Sequence, residues 1–464
     1  MRDSRASIQP VNWIRPAIIL ALLFASAGLA YLDPPGKLSL ILLSLGPAML
    51  GLLLYLRRPA LGVLALVFAA MMVPLSVGTG TGTSLNPVIL MVPLMTGIWL
   101  LTMALRHRAI RIHRHSSIYF LLALNITVIL ALIVGRLSWF DIPGAGTAAQ
   151  LGGVMVFFVS SAAFLLAAHL LDERWLARLV YMFIFIGASI VVLQFVPSMR
   201  SSITRFVTIG AMGSVFWIWL VTLAAGLALF HTSLTIHTRL LLAAVAAVTL
   251  LFGFMRNGEW ASGWAPPLVA LLLLVWLKYP RWGWAFLFIA TLVFFFEFDH
   301  FWTLATSNES WLARRQAWQI VLDTASANPL LGLGPSNYYF YVQQATIMGW
   351  GGAWSVKFSS HNNWVDLIAQ VGIVGTFLFV AFSASLARAG WRLYRRLPNG
   401  FGRGYAAACI AGLIATLISG LLGDWFLPFV YNIGLEGMRA SVLFWLFLGG
   451  LLSLYKAQGI SGTT

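Results

Sequence analysis

The polar stretch from Asp299 to His361 interrupts a chain otherwise built of hydrophobic runs, and it holds the side chains best suited to chemistry. His361 closes it, in the run Ser360-His361-Asn362-Asn363. A neutral imidazole, with an ordinary pKa near about 6.5, can accept a proton from a hydroxyl at neutral pH. Read alone, a His beside two Asn is equally a hydrogen-bonded residue at a helix start, so its company matters. Arg314 and Arg315 share the stretch, and Arg200, Arg205 and Arg256 belong to the same side of the topology derived below. Each could pair singly with Glu259, Asp299, Glu309, Asp323 or a lipid headgroup. Taken as a set they point to an anion, because guanidinium is planar, permanently charged and forked to grip phosphate oxygens two at a time.

Residues 310–327 read as an amphipathic helix after an Asn308 N-cap, ended by Asn328-Pro329. Trp311, Arg315, Trp318 and Leu322 fall on one face, while Arg314 stands four residues before Trp318, close enough for a cation–π contact as an alternative to ligand binding. Gly332-Leu333-Gly334-Pro335 is a tight turn and not a phosphate loop, since no Gly-Lys-Ser/Thr follows. Asp366 lies off the face of His361 and reaches it only with backbone distortion or through another group. Asp424 beside Trp425 could take sugar hydroxyls with a ring for the apolar face of a pyranose; the competing reading is an interfacial Trp belt. The single cysteine, Cys409, excludes an internal disulfide, and no His and carboxylate set has metal-ligand spacing.

The elements that must position these groups are membrane helices. Hydrophobic residues make up 60% of the 464 positions and charged residues only 9%, with 20 Trp and 32 Phe. Apolar runs of roughly 18–22 residues recur, enough at about 1.5 Å per residue to cross a hydrocarbon core. We expect an all-α, polytopic bundle of about fourteen spans: 16–33, 37–56, 59–77, 86–105, 117–134, 151–171, 178–197, 210–230, 238–255, 263–278, 282–298, 362–386, 404–422 and 438–455. The expected organisation is an N-terminal bundle (1–298), a partly helical extracytoplasmic loop domain (299–361) and a C-terminal bundle (362–464). With both termini in the cytoplasm, 20 of the 29 Lys and Arg but only three of the 13 acids fall on the inner side, so the net charge of +16 is a topology signal and not a nucleic-acid footprint. The five arginines named above are exceptions on the outer side.

Four linked pieces then resemble the O-antigen ligase and polymerase superfamily: Arg314-x-x-x-Trp318, Asn328-Pro329-Leu330-Leu331-Gly332-Leu333-Gly334, Ser360-His361-Asn362-Asn363, and Gln370-Val371-Gly372-Ile373-Val374-Gly375 opening a span. The resemblance implies a membrane glycosyltransferase of the cytoplasmic (inner) membrane with an undecaprenyl-diphosphate-linked glycan donor. It makes His361 the base that activates the acceptor hydroxyl, and carries the family's two diphosphate-holding arginines onto Arg205 and Arg256. Arg200, Arg314, Arg315, Trp318, Asn362, Asn363 and Asp424 are the expected substrate-binding residues. The acceptor is a glycan, glycolipid or glycoprotein, the remaining partners are membrane lipids, and no metal or other cofactor is expected, since the arginines would carry the developing charge. Polymerisation of repeat units is the first reading and ligation of a finished glycan the second; a lipid-linked oligosaccharide flippase or a membrane scaffold are readings of another class.

Overall fold

The computed structural model describes residues 49–78, 84–256, 261–299, 309–344, 347–349, 352–354 and 357–459. The chain divides into two compact units, one ending at Gly62 and one running from Val63 onward. The first contributes a helix over residues 49–57; the expected span 16–33 and most of 37–56 lie outside the described residues. The second unit holds the elements discussed below, save for residues 59–62 at the start of the first of them.

It is an all-α bundle. After α1 (Pro59–Met72) come α2 (Pro87–His107), α3 (Ser116–Val134), α4 (Thr147–Leu170), α5 (Glu173–Phe195), the short α6 (Pro197–Thr204), α7 (Ser214–Phe230), α8 (Ile236–Arg256), α9 (Ala261–Lys278) and α10 (Pro280–Phe296). The amphipathic α11 (Glu309–Ala325) follows, then α12 (Asn363–Arg396), α13 (Phe401–Ser419) and α14 (Met438–Ala457). Two short antiparallel ribbons, Val77–Gly78 with Ser84–Leu85 and Ile347–Gly349 with Gly352–Trp354, are the strands among the described residues. Nine of the described helices are long and apolar enough to cross a membrane, and the helices starting at Pro59 and Ser262 are shorter apolar ones. Polar side chains mark where helices begin: Asn86 Oδ1 accepts from the amides of Val88 and Ile89, and Asp172 from that of Trp175.

Helices α7 and α14 are apolar on every side and buried on every side, which makes them the bundle's axis. Around them pack α4, α8, α9 and α13. Small residues permit the closest approaches: a methyl group at Gly226 would stand 2.7 Å from the carbonyl oxygen of Gly404, and one at Gly449 would stand 2.3 Å from that of Phe164. At the periphery α10 exposes Trp282, Phe288, Phe295 and Phe296, the expected face of a helix whose solvent is lipid.

α12 is two helices joined across a break. Gly372 takes φ +67°, outside the helical region. Its ladder is completed by another segment: the amides of Ile373 and Val374 donate to the carbonyls of Pro329 (2.9 Å) and Leu330 (3.2 Å), and the amide of Leu333 donates to Ala369 O (2.9 Å). The Asn328–Gly334 turn is thus spliced backbone to backbone into the helix. A Cβ on Gly372 would meet Leu330 O at 2.1 Å, and Gly332, at φ +71°, would meet the Gly372 amide nitrogen at 2.7 Å. Gly372→Ala is therefore expected to destabilise the protein by roughly 2–4 kcal/mol, from left-handed strain and overpacking together. Gly97→Ala, in open helical surroundings, should be neutral or slightly stabilising. Thermal unfolding of both variants in one detergent checks the contrast.

Candidate functional site

The break in α12 fixes its first turns, and the site is assembled on them. Asn362, extended at φ −150°, caps the helix with its Oδ1 on the amides of Trp364 (2.9 Å) and Val365 (3.4 Å). His361 precedes the cap and so is not a helix residue; its φ is +49°, the left-handed region that His, Asn and Asp tolerate better than most. Asn363 spends both ends of its amide on the chain after α13: Nδ2 donates to Leu427 O at 2.6 Å and Oδ1 accepts from Phe426 N at 3.0 Å. Its backbone amide donates to Gly420 O at 2.8 Å. Asn362 and Asn363 are buried, and these bonds give both a structural task. The loop between α13 and α14, with Asp424 in it, is thereby tied to the start of α12.

A continuous polar network follows. Asp366 Oδ1 accepts from the Tyr338 hydroxyl and from Ser360 Oγ (2.7 Å), and Ser360 Oγ accepts in turn from Asn362 N at 3.0 Å. Trp318, on α11, donates from Nε1 to Ser360 O at 2.8 Å and meets Trp311 edge to face at 5.4 Å. Asn432 links the two acidic and basic ends: its Nδ2 lies 2.5 Å from Asp424 Oδ2 and 3.0 Å from His361 Nδ1. Arg314 donates to Leu422 O at 3.2 Å, next to the Asp424 turn, and its charge is felt by both His361 and Asp424.

Burial dominates the electrostatics here. It pushes the His361 pKa below its ordinary 6.5, with Asp424 pulling it back up and Arg314 pushing it further down. It also raises the Asp424 carboxyl, against the hydrogen bond from Asn432 and the nearby charges of His361 and Arg314. The Tyr338 phenol is held well above its ordinary range, first by burial and then by the two carboxyl groups. At neutral pH His361 is a neutral imidazole, able to accept or to donate.

Beside this network lies a cleft of about 410 Å³ lined by Gln194, Arg200, Met212, Phe216, Phe252 and Trp425 among others. Apart from Gln194, Arg200 and Thr204 its lining is largely apolar. Arg200 sits on α6 and Arg205 caps it; both are exposed. The chain after Arg205 is pinned to the end of α1, with Thr208 N donating to Met71 O at 3.0 Å and the Thr208 hydroxyl donating to Ala70 O. Arg256 ends α8, and its side chain lies outside the described part. Arg315 is exposed on α11. The structure thus brings His361, Arg314, Trp318 and Asp424 together, sets Arg200 on the same cleft as Trp425, and leaves Arg315 apart from both groupings.

Three participants were not singled out from the sequence as site residues. Asn432 lies 71 positions after His361, and nothing in its local run marks it. Tyr338 sits in an aromatic cluster, YYFY, that reads as packing. Asp366 fits no helical spacing with His361 because His361 is not on the helix.

Residues 234–380 match the family model described as O-antigen ligase, a stretch that takes in α8 to the first half of α12 and so Arg256, Arg314, Trp318 and His361. Arg200, Arg205, Asp424 and Asn432 fall outside it. No curated protein matches the chain.

Because the folded pKa of His361 lies below 6.5, the unfolded chain binds a proton there that the native state refuses. Native stability should fall as pH drops below about 6.5 toward the folded value, with unfolded-state protonation as the drive. In His361→Asn, a residue that tolerates the same φ, the unfolding midpoint should lose less between about pH 7.5 and pH 5 than in the parent protein.

Proposed function

Since the chain belongs to the O-antigen ligase/polymerase superfamily, we propose that it transfers glycan from an undecaprenyl-diphosphate-linked donor to a sugar hydroxyl at the extracytoplasmic face of the inner membrane. The observation that carries this reading is the placement of a half-buried, neutral His361 within the influence of the Arg314 charge and near Asp424, whose neighbour Trp425 lines, with Arg200, a mostly apolar cleft. A polyprenyl diphosphate has that same division: an anionic head and a hydrocarbon tail.

In the proposed reaction the acceptor oxygen attacks the anomeric carbon. The new glycosidic C–O bond forms as the bond to the diphosphate breaks, and undecaprenyl diphosphate leaves with the electron pair. His361 takes the hydroxyl proton. Arg200, which lines the cleft, and the family positions Arg205 and Arg256 neutralise charge on the departing diphosphate in this reading, and Arg314 adds its charge near His361. Fixed donors of this kind cost no reorganisation at the moment of reaction. Inversion at the anomeric carbon follows from a single displacement. Trp318, Asn362 and Asn363 serve this reading as supports of the His361 segment, through the hydrogen bonds above.

Joining of repeat units is the first form of the activity. The family description, O-antigen ligase, favours the second, transfer of finished glycan to a separate lipid or protein acceptor. Purified protein given the lipid-linked oligosaccharide alone should lengthen it if repeat units are joined, and should act only after a separate acceptor is added if the protein is a ligase. In either format His361→Asn should lower the rate by about 100-fold or more. Arg200→Ala should raise KM for the donor more than it lowers kcat. Full activity of His361→Asn, or no glycan transfer with any acceptor, would overturn the reading and favour lipid-linked oligosaccharide transport.

A further inference from the structure

Asp366 and Asp424 are each 2% exposed, and their carboxyl groups lie against one another. Two of their four oxygens are served: Asp366 Oδ1 by Tyr338 and Ser360, and Asp424 Oδ2 by Asn432. The other two, Asp366 Oδ2 and Asp424 Oδ1, are buried with no donor. Two ionised carboxylates in that position would put like charges in contact and leave two buried acceptors unpaired, which costs heavily on both counts. A single proton between the two groups serves both oxygens and leaves one negative charge. That charge is matched by Arg314.

We propose that Asp366 and Asp424 hold one proton between them and, through Asn432, fix His361 in the tautomer that carries its hydrogen on Nε2. With the shared proton on the Asp366 side, Asp424 Oδ2 can only accept, so Asn432 must turn its amide nitrogen toward it. The second hydrogen of that NH₂ group then points to His361 Nδ1, 3.0 Å away. Nδ1 is an acceptor in that arrangement, and a neutral ring has its one hydrogen on the other nitrogen. Asn432 is a positioning residue: it acts on the substrate only through the imidazole.

The consequence for the reaction rests on the glycosyl-transfer reading, whereas the tautomer itself does not. At rest His361 offers an N–H. For Nε2 to take a hydroxyl proton, the ring's own hydrogen must sit on Nδ1, and Asn432 must turn to present its oxygen. The charged and titratable groups facing this assembly are Arg314 from α11, Tyr338 from the loop before α12, Asp366 from α12 itself and Asp424 from the loop after α13.

The test uses the full chain in lipid nanodiscs. Infrared spectroscopy near neutral pH should show a protonated buried carboxyl that is missing from both Asp366→Asn and Asp424→Asn, because in each an amide N–H replaces the shared proton. Nitrogen-15 NMR of labelled histidine, with His361 assigned by its loss in His361→Asn, should show the Nε2–H form in the parent and in both of those variants. Asn432→Asp should move the hydrogen to Nδ1, since a carboxylate there accepts where the amide donated. Its acid limb of kcat/KM should also shift to higher pH, because the added charge favours imidazolium. Either aspartate variant carries the test if the other fails to fold. No protonated carboxyl, a carboxyl signal that survives both substitutions, or an Nδ1–H ring in the parent overturns the proposal. If the spectra hold and the acid limb stays in place, the tautomer stands and the base role of His361 falls.

Discussion

The rest of the structure depends on one backbone arrangement, the insertion of the Asn328–Gly334 turn into the break of α12. A helix interrupted inside a membrane bundle leaves amides and carbonyls without partners, each costing about 1–3 kcal/mol if buried and unpaired. Irregular backbone at that depth survives only where protein satisfies it. Here Pro329, Leu330 and Leu333 do so directly, at a spacing that only glycine at 332 and 372 allows. Ser336 N extends the junction by donating to Gln370 Oε1 at 3.2 Å. The turn cannot shift without breaking the helix, so the helix start is set as firmly as the loop.

From that start the polar groups follow in order. Asn362 ends the extended segment and begins the helix, which leaves His361 outside the ladder with its ring free to meet another element. Asn363 then draws in the chain after α13, and with it Asp424. Trp318 ties α11 to Ser360, and Tyr338 ties the preceding loop to Asp366. Four segments distant in sequence therefore meet through hydrogen bonds from side chains to backbone and to one another, a mode that satisfies buried polar groups and holds rotamers at the same time. Two carboxyl groups can be buried beside a half-buried imidazole because donors are in place for one oxygen of each.

The hydrophobic runs made the helices legible, since span length and burial follow from composition alone. The expected spans 117–134, 210–230 and 404–422 meet α3, α7 and α13 within a few residues at each end. The twelfth span, expected to stop at 386, continues to Arg396 because its last turns are amphipathic and pack at the bundle's end. The glycines of the Gln370–Gly375 run were visible, but the break was not, because the partner carbonyls lie some forty positions earlier. Of the candidate site, the nearness of His361 to Arg314 was legible as two polar residues of one stretch, and the wiring between them was not. Asp366 was weighed by helical spacing from His361, a ruler that does not apply to a residue at φ +49°. Arg314 was weighed against Trp318 on its own helix, yet it donates a hydrogen bond to Leu422 O, 108 positions away. Local periodicity sees neighbours on one element; it has no access to contacts between elements.

The two parts of the site are built differently, and the difference matches what each would have to do. The His361 side is a hydrogen-bond network at the start of α12, its segments tied to one another by side-chain bonds and open only at Asp366 Oδ2 and Asp424 Oδ1. The cationic α6, by contrast, buries none of its residues, and the chain after it is held by the Thr208 contacts with α1. Proton transfer demands a fixed geometry, because a misplacement of about 1 Å can cost on the order of 100-fold in rate. In the proposed reaction a bulky lipid-linked anion would also have to enter and leave, and an exposed helix such as α6 would tolerate that passage with little buried surface to disrupt. Under the proposed reaction, a well-anchored His361 backbone and a lightly anchored cationic helix would therefore let chemistry and substrate exchange interfere least with each other.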